Sequence, residues 1–465
     1  MKRNIFFFLL IAALGNIQAK VSLPAVFSSH MVLQQNSRVT IWGWANPLEK
    51  VKVTGSWDND TAKVTADNQA KWGVTLKTPA AGGPYLVTVA GSDTIVLKDV
   101  MIGEVWLCSG QSNMEMSAGW SINNAAKEIS DANYPQIRLF QVDKRAAEYP
   151  QLDVAGTWKT CTPSSMKDFS AAGYFFGRDL YKNLKVPIGL INSSWGGTPA
   201  ETWVNPDTIA SSKILTEAAK KISDTMPWCP GEPGKTYNSM IFPLIPFKIA
   251  GVIWYQGEAN TANPETYSQL FSTLINDWRD EWKEEFPFYY VQIAPYNYET
   301  PYTGVLVREA QLKCLSLPGT GMVVISDIGN LTDIHPKDKQ DVGKRLANWA
   351  LAKTYNKKGI SYSGPLYRSY KTEGNKIRIY FNFAGSGLTA RGGTLTNFQI
   401  AGSDSLFVPA KAEIKDSTVI VYSDKVQNPI AVRYAWKNAV DPNLFNKEGL
   451  PASSFRTDDW KIKLK

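Results

Sequence analysis

A series of short, continuously apolar runs constrains the fold of this chain more than any other feature. Each run ends at a polar or glycine-rich turn, and segments with the apolar spacing of helices lie between several of them. Strands that are buried on both faces have this pattern, because helices cover both sides of a parallel sheet. The alternation of strand and helix predicts a right-handed, mostly parallel α/β sheet. The runs lie at residues 100–102, 105–107, 186–191, 249–255, 288–293 and 321–326.

The sequence on either side of this unit has a different hydrophobic pattern. Short runs in which apolar and polar residues alternate fill residues 20–98 and return after residue 357. Alternation with a period of two is typical of strands that bury one face. We therefore expect an α/β domain over 99–356, flanked by β-sandwich-like accessory regions over 20–98 and 357–465.

The first residues predict export. Lys2 and Arg3 precede an apolar run over residues 5–14, and small and polar residues lead on to Ala19. This order matches a signal peptide, so we expect residues 1–19 to be removed and the mature protein to be periplasmic or extracellular. The apolar run is shorter than the roughly 20 residues that span a bilayer. No later run approaches that length without charges or prolines, so no membrane span is expected.

The charged residues, histidines and cysteines of the chain limit the partners and cofactors that are expected. The chain carries 50 basic and 42 acidic residues, a formal charge of +8, but the basic residues form no block longer than pairs such as Lys344-Arg345. A nucleic-acid partner is not expected of an exported protein with this charge pattern. The chain has two histidines and four widely spaced cysteines with no CxxC spacing. We therefore expect no metal site and no cofactor, and the cysteines form either buried thiols or one or two disulfides.

The first turn of chemical interest follows residues 105–107 and reads CSGQSNM over 108–114. Ligands of open α/β sheets bind at the carboxyl ends of the strands, where this turn lies. A serine that opens a helix there presents its hydroxyl outward, and its own N–H can stabilise an oxyanion. Ser112 is therefore a candidate nucleophile. The alternative is that Ser112 or Ser109 only caps the helix.

A serine nucleophile needs a base, and the chain has two histidines with which to provide one. His30 lies in the N-terminal β region, where a structural or surface role is the default. His335 follows the last apolar run and precedes a helical segment, within the sequence DIHP over 333–336. A catalytic base needs that position, so we predict that His335 is the general base.

Two more strand-end turns carry groups suited to acyl transfer. Gly196 and Gly197 allow backbone N–H groups to approach a substrate closely. Gln256 and Glu258, in the turn after the next apolar run, offer an amide and a carboxylate. A serine, glycine donors, an amide and a histidine in successive turns form a constellation for acyl transfer. The alternative is that Gln256 and Glu258 only brace their loop by hydrogen bonds.

Three motifs resemble those of the sialate O-acetylesterase family within the SGNH (GDSL-type) hydrolases: GQSNM at 110–114, YQGEAN at 255–260 and DIHP at 333–336. The similarity covers the chain after the predicted signal peptide and includes the distal segments 428–436 and 455–458. The resemblance implies a flavodoxin-like α/β domain with accessory β structure. It also implies the removal of acetyl esters from sugars, typically O-acetylated sialic acid.

The resemblance also assigns roles to residues of the matching motifs. It implies that Ser112 is the nucleophile and that His335 is the general base and acid. The oxyanion donors would be the Ser112 N–H, Gly196 or Gly197, and Gln256, which stands where the superfamily usually has Asn. The predicted reaction is a two-step hydrolysis through an acetyl-enzyme and requires no metal or cofactor. Because the base is an imidazole, activity is expected to rise from acid toward neutral pH.

The acid that orients His335 departs from the superfamily's DxxH pattern. Position 332 is Thr, and the acid nearest in sequence is Asp333, two residues before the histidine. Residues two apart share a face only in an extended segment, so Asp333 reaches the imidazole if the loop is extended. We predict Asp333 as the orienting acid, with Asp327 or a main-chain carbonyl as alternatives.

Three residues are candidates for substrate binding. Asn113 and Glu258 belong to the motifs that form the predicted site. Arg308 offers a cation for the carboxylate of sialic acid, with a structural salt bridge as its alternative role. Acetylated xylan or another acetylated glycan is the alternative substrate, because the same site can process any exposed acetyl ester.

Two other functional classes stay open at this point. A glycosidase would use two carboxylates such as Glu201 and Glu258, and it would leave Ser112 and His335 without a role. A non-catalytic protein would bind glycans through its aromatic-rich β regions. Release of acetate distinguishes an esterase from a binding module, and new reducing ends would reveal a glycosidase.

Overall fold

The computed structural model describes residues 20–58, 61–222 and 227–464. The predicted signal peptide at 1–19 lies outside the described residues. Within those residues, no helix is both long and apolar enough to cross a membrane.

The N-terminal β region and the α/β domain share a strand. Strand β7 (Thr94–Gly110) begins as an antiparallel partner of β6 (Gly82–Ala90) and also pairs in parallel with β1 (Val32–Gln34). The predicted boundary between residues 98 and 99 therefore falls inside one strand. The other strands of this region are β2 (Arg38–Trp44), β3 (Lys50–Gly55), β4 (Thr61–Thr65) and β5 (Lys71–Lys77).

The second half of β7 is the centre of a mostly parallel sheet. The strands that join it are β8 (Tyr134–Gln141), β9 (Trp158–Cys161), β10 (Ile188–Ser194), β11 (Gly251–Tyr255), β12 (Phe288–Val291) and β13 (Thr320–Val323). Their order is β13-β12-β11-β7-β10-β8-β9, and each neighbouring pair is parallel except β8 and β9. The predicted α/β class is confirmed.

Helices connect these strands. They are α1 (Ser112–Glu115), α2 (Ala125–Ser130), α3 (Pro163–Lys167), α4 (Ala171–Leu184), α5 (Pro206–Ala210), α6 (Lys213–Ala219), α7 (Tyr267–Trp282), α8 (Thr303–Lys313) and α9 (Lys339–Trp349). Short 3₁₀ turns lie at Ala118–Trp120, Ala200–Trp203, Phe242–Leu244, Ala259–Ala262 and Cys314–Ser316. Single π-helical turns lie at Tyr237–Ile241 and Ala350–Thr354.

Helices cover both faces of the parallel sheet. Trp106 and Cys108 of β7 belong to a core with α4 and α9, whereas Val105 and Leu107 belong to a core with α7 and α8. Side chains alternate between the faces of a strand, so a strand in this position needs a continuously apolar sequence. Gly343 on α9 allows a close helix contact, because a Cβ there would lie 2.5 Å from a side-chain atom of α4.

The C-terminal β region is antiparallel and has a core of its own. Arg456 Nε donates to Glu309 Oε1 at 3.0 Å, and Gln292 Nε2 donates to Ser453 Oγ at 2.9 Å, so polar contacts tie this region to the α/β domain. Its strands are β14 (Leu366–Glu373), β15 (Lys376–Asn382), β16 (Leu388–Ala390), β17 (Phe398–Ala401), β18 (Val408–Pro409), β19 (Lys411–Lys415), β20 (Thr418–Tyr422), β21 (Ala431–Tyr434), β22 (Leu444–Asn446) and β23 (Phe455–Arg456). Two sheets have the orders β14-β15-β20-β19 and β18-β17-β21-β23, and β16 pairs with β22.

The four cysteines are free thiols. Cys108, Cys161 and Cys314 are buried, and Cys229 is half-buried. Burial raises the pKa of each thiol, which keeps it protonated and unreactive at neutral pH. Of the two alternatives that the sequence leaves open, the structure has the thiols.

Candidate active site

Turns at the carboxyl edge of the parallel strands bring the predicted catalytic residues together. Ser194, at the end of β10, is in register with Gly110 at the end of β7. Tyr255, at the end of β11, is in register with Gly110 from the other side. The loop between β13 and α9 reaches the same edge, because His335 within it contacts Ser112. Four segments that are distant in sequence therefore form one site.

The turn that carries the predicted nucleophile depends on a glycine. Gly110 has a φ of 138°, and a Cβ there would lie 2.2 Å from the carbonyl oxygen of Tyr255. Gln111 donates its N–H to that oxygen at 3.0 Å and is the N-cap of α1. Ser112 is therefore the first helical residue, and its hydroxyl is not the cap that the alternative interpretation requires.

The Ser112 hydroxyl contacts the imidazole of His335. Ser112 Oγ and His335 Nε2 are 2.9 Å apart, within hydrogen-bond reach for a nucleophile and its base. Burial lowers the pKa of His335, the Lys339 ammonium lowers it further, and Asp333 raises it. The imidazole therefore stays neutral, and able to accept a proton, further into the acid range than a free histidine.

Asp333 lies beside the imidazole without a direct hydrogen bond to it. Its Oδ1 is 3.7 Å from His335 Nδ1 and accepts the His335 backbone N–H at 3.0 Å. The side chains are 40% and 34% exposed, so water screens the interaction between them. The alternative acid, Asp327, is instead bound by two nitrogens of Arg345 at 2.7 and 2.8 Å. Asp333 is the better placed of the two acids.

Gly196, a predicted oxyanion donor, lies against the nucleophile. A Cβ at this position would be 3.2 Å from the Ser112 Cβ. The Gly196 N–H donates to Glu115 Oε2 at 2.5 Å, and Glu115 is also paired with Lys144. Gly197 follows with a φ of 86°, a conformation that favours glycine. The sequence interpretation missed Glu115 and Lys144, because charged side chains without a pattern are expected to be solvated.

Gln256 is buried, and its side chain is committed to its own loop. The amide nitrogen donates to Asn260 Oδ1 at 2.7 Å and to the Thr198 carbonyl at 3.3 Å. The amide oxygen accepts from the Tyr267 hydroxyl at 2.8 Å. These are the bonds of a residue that braces the loop, and the role of Gln256 as an oxyanion donor stays a prediction.

Asn113 connects three of the four turns. Its amide nitrogen donates to Glu258 Oε1 at 2.6 Å and to the Ile334 carbonyl at 3.0 Å. Its amide oxygen accepts from Lys339 Nζ at 2.6 Å. Asn113 is fully buried, so these bonds make it a brace between the turns. The sequence interpretation missed Lys339, because a lysine in the first turn of a helix is normally exposed.

The two carboxylates of the glycosidase alternative are both buried and held by side-chain amides. Glu201 accepts from Asn260 and Asn263, each at 2.8 Å, and burial raises the pKa of Glu201. Burial also raises the pKa of Glu258, which Asn113 binds through one oxygen. Both groups are built into the interior of the loops.

Arg308 and His30 form their hydrogen bonds with residues outside the Ser112 turn. Arg308 is 2% exposed, and its guanidinium donates to the main-chain carbonyls of Lys437 and Asn438. Among the residues that the structure describes, Arg308 forms no ion pair, so its alternative role as a structural salt bridge is not seen either. His30 Nδ1 contacts Asp99 Oδ2 at 2.6 Å in the N-terminal β region, which is the structural role expected by default.

Comparisons with known proteins identify a family and several relatives of this chain. Residues 102–352 match the family described as carbohydrate esterase, sialic acid-specific acetylesterase, and this range contains all four turns. Sialate O-acetylesterase from Homo sapiens is 33% identical over 379 residues, which cover 73% of this chain and 72% of that protein. Sialate O-acetylesterase from Rattus norvegicus is 33% identical over 404 residues, which cover 73% of this chain and 74% of that protein.

A solved structure is similar along nearly the whole chain. It is the crystal structure of a novel carbohydrate acetylesterase from Xanthomonas citri, with a TM-score of 0.87 and 39% sequence identity. The match covers 95% of this chain and 100% of the other. The similarity therefore includes the accessory β regions as well as the α/β domain.

Proposed function

The chain belongs to the sialic acid-specific acetylesterase family of carbohydrate esterases, and from this premise we propose that it hydrolyses O-acetyl esters of sialic acid with Ser112 and His335 as the reacting pair. The observation that carries the proposal is the 2.9 Å contact between Ser112 Oγ and His335 Nε2 at the carboxyl edge of the sheet. A serine and a neutral imidazole in this contact suit acyl transfer to water.

The reaction proceeds in two balanced steps. Ser112 Oγ attacks the acetyl carbonyl while His335 Nε2 takes the hydroxyl proton, and the sugar oxygen leaves with that proton. The acetyl group is then bonded to Ser112. Water attacks the acetyl-enzyme with His335 again as base, and acetic acid leaves as the proton returns to Ser112 Oγ; the acid then ionises to acetate in solution. The enzyme regains its starting state after each cycle.

The negative charge on the carbonyl oxygen needs donors beside Ser112. The Ser112 N–H, at the first position of α1, has no intrahelical acceptor. In the neighbouring turn the Gly196 N–H is already bonded to Glu115, so the Gly197 N–H is the other candidate donor. The chain order of serine, glycine, amide and histidine supports an SGNH-type site, with Gln256 at the amide position.

The substrate assignment is tested by acetate release. Purified protein is offered O-acetylated sialic acid, acetylated xylan and a small aryl acetate, and Ser112→Ala and His335→Ala are assayed beside it. We expect the sialate ester to be preferred and both variants to lose activity on all three. Release of acetate only from xylan or the aryl acetate would support the catalytic site but overturn the assignment of sialic acid as the substrate. Full activity in both variants would overturn the site.

A matched control is available on β7, the strand that leads to the nucleophile turn. Ser109→Ala makes the same chemical change three residues before the nucleophile, at a buried hydroxyl with no partner among the described residues. We expect it to keep its activity. Assays for new reducing ends run in parallel, and their appearance without acetate would favour the glycosidase alternative. Binding to glycans with neither product would favour a binding module.

Export is a separate part of the proposal. It rests on the charged, apolar and small-residue pattern of residues 1–19. Expression of the full chain in a bacterial host, followed by N-terminal sequencing of the periplasmic protein, tests it. We expect the mature chain to start at Lys20, and a start at Met1 in the cytoplasm would contradict export.

A further inference from the structure

A buried lysine lies next to the proposed catalytic pair, and the mechanism above does not use it. Lys339 is 0% exposed. Its ammonium donates to Asn113 Oδ1 at 2.6 Å and lies 4.9 Å from the centre of the Tyr255 ring. Taking an ammonium group out of water is costly, and a long apolar side chain would fill the same space without that cost. Packing alone therefore does not explain why a lysine occupies this buried position.

The contacts of Lys339 join the two halves of the site. Its hydrogen-bond partner, Asn113, directly follows Ser112 in the chain. Lys339 itself is the first residue of α9, four residues after His335. The Asn113 amide completes the link by donating to the carbonyl of Ile334, the residue before His335, at 3.0 Å. The nucleophile turn and the histidine loop are thus held together through one amide and one ammonium.

We propose that Lys339 is a positioning residue for the esterase reaction: through Asn113 it fixes the Ser112 turn against the His335 loop, and its charge keeps the His335 imidazole unprotonated in mildly acid solution. This inference rests on the proposed function, because it takes Ser112 and His335 to be the reacting pair. Lys339 acts through its neighbours and touches none of the reacting atoms.

The charges around Lys339 and His335 support this role. Burial lowers the pKa of Lys339 to about 7, while Glu258 and Asp333 act to raise it. Below that pH the ammonium is charged. In that state it lowers the pKa of His335, adding to the effect of burial, and Asp333 acts in the opposite direction. Lys339 therefore gains its charge in the pH range where His335 would otherwise start to be protonated.

The facing carboxylate does not cancel the charge by direct contact. Glu258 Oε1 and Lys339 Nζ bind opposite ends of the Asn113 amide, which stands between them. Burial raises the pKa of Glu258 and so favours its neutral form. Tyr255 and Tyr298 face Glu258 and stay neutral, because burial raises the pKa of both phenols well above its usual value. The field of Lys339 is thus free to act on His335.

The first test is the pH profile of two variants. Lys339→Gln removes the charge and keeps a donor for Asn113, and Lys339→Met removes both. We expect the ratio of kcat/KM at about pH 5.5 to that at about pH 8 to fall roughly threefold to tenfold in both variants, since His335 is protonated at higher pH without the neighbouring charge. At pH 8 Lys339→Met should also be slower than Lys339→Gln, because only Gln can still bond to Asn113.

The matched control is Lys344→Met, the same change at an exposed position of the same helix. We expect its pH ratio to equal that of the wild type. An unchanged ratio in a folded Lys339→Gln would overturn the charge effect. Equal rates of the Gln and Met variants at pH 8 would overturn the positioning role.

The second test does not depend on activity. The protein has two histidines, so NMR follows each imidazole through a pH titration, with His30→Asn to assign the signals. We expect His335 in the wild type to titrate below the ordinary value of 6.5, and to titrate higher in Lys339→Gln. Titration of wild-type His335 at or above 6.5 would overturn the inference. Absence of acetate release with the expected titration would instead overturn the proposed function.

Discussion

The carboxylate of Glu115 accepts the N–H of Gly196 at 2.5 Å, while the same glycine lies against Ser112. The other oxygen of Glu115 is paired with Lys144, whose side chain is 44% exposed. A carboxylate therefore stands beside the place where the tetrahedral intermediate would develop its negative charge. Like charges repel, so the neutralisation of Glu115 by Lys144 should influence the rate.

Removal of the lysine should slow the reaction. We expect Lys144→Met to lower kcat about twofold to fivefold, because a partly exposed ion pair contributes roughly 0.2–1 kcal/mol. Addition of Glu115→Gln should recover most of the loss, since the amide keeps an acceptor for Gly196 and carries no charge. The measurement is kcat on a small aryl acetate, which limits effects of sugar binding.

A distant ion pair serves as the control for this double-mutant cycle of Lys144 and Glu115. Lys220 and Glu217 form an exposed ion pair at 2.8 Å, and Lys220→Met should leave kcat unchanged. If the losses of Lys144→Met and Glu115→Gln simply multiply in the double variant, the two residues are not coupled.

The reacting pair should behave as one unit. We expect Ser112→Ala and His335→Ala each to lower kcat by about 10³-fold or more, and the double variant to be no slower than the slower single variant. The physical reason is that the imidazole has no proton to accept once the hydroxyl is gone. Steady-state rates of acetate release on all three proteins measure this. A double variant that loses the product of both factors would mean that the residues act independently.

Asp333 should contribute less than the acid of a hydrogen-bonded triad. Its nearest oxygen is 3.7 Å from His335 Nδ1, and it is 40% exposed. We expect Asp333→Asn to lower kcat/KM by about tenfold, compared with about 10⁴ where the acid is directly bonded to the imidazole. Kinetics on the aryl acetate measure the loss. A loss near 10⁴ would show that the carboxylate moves into direct contact during the reaction.

The same variant should change the pH dependence in a defined direction. Asp333 raises the pKa of His335, so its removal lets the imidazole stay neutral at lower pH. The acid limb of kcat/KM should therefore move to lower pH, opposite to the shift expected for Lys339→Gln. Asp131→Asn, at an exposed carboxylate paired with Lys127, is the control and should leave the profile unchanged. A shift of Asp333→Asn to higher pH would contradict the assigned sign.

The fold and the reacting pair are predictable from sequence for physical reasons. A strand must be continuously apolar wherever helices cover both faces of its sheet. Trp106 and Leu107 are adjacent in β7 and belong to the cores on opposite faces, so both have to be apolar. Ser112 is marked by a glycine turn at a strand end. His335 is marked by scarcity, because a serine hydrolase with two histidines leaves little choice of base.

The elements that sequence did not predict depend on tertiary neighbours. The hydrophobic pattern changes near Asp99 because the first part of strand β7 is partly exposed and the second part is buried. No turn separates the two parts, so the change in pattern does not mark a domain boundary. Glu115 and Lys339 have no local pattern that distinguishes them from solvated charges. Their contacts with Gly196 and Asn113 join positions that are 81 and 226 residues apart.

The role of Arg308 also depends on tertiary neighbours that its local sequence does not reveal. Helix α8 packs it under the C-terminal β region, where it donates to the carbonyls of Lys437 and Asn438. Burial lowers the pKa of its guanidinium to about 10, and the side chain is 2% exposed. A carboxylate on an incoming sugar would have to displace these bonds to reach it. A structural role therefore fits its surroundings better than recognition of sialic acid.

Substitution of this arginine should affect stability and not selectivity. We expect Arg308→Met to destabilise the protein by about 1–3 kcal/mol, because buried carbonyls lose their donor. The Michaelis constants for a sialate ester and for an aryl acetate should change by the same factor. Denaturant unfolding and paired kinetics measure the two effects, with Arg38→Met on the exposed edge of β2 as control. A rise in KM confined to the sialate ester would contradict the structural role and restore Arg308 as the contact for the substrate carboxylate.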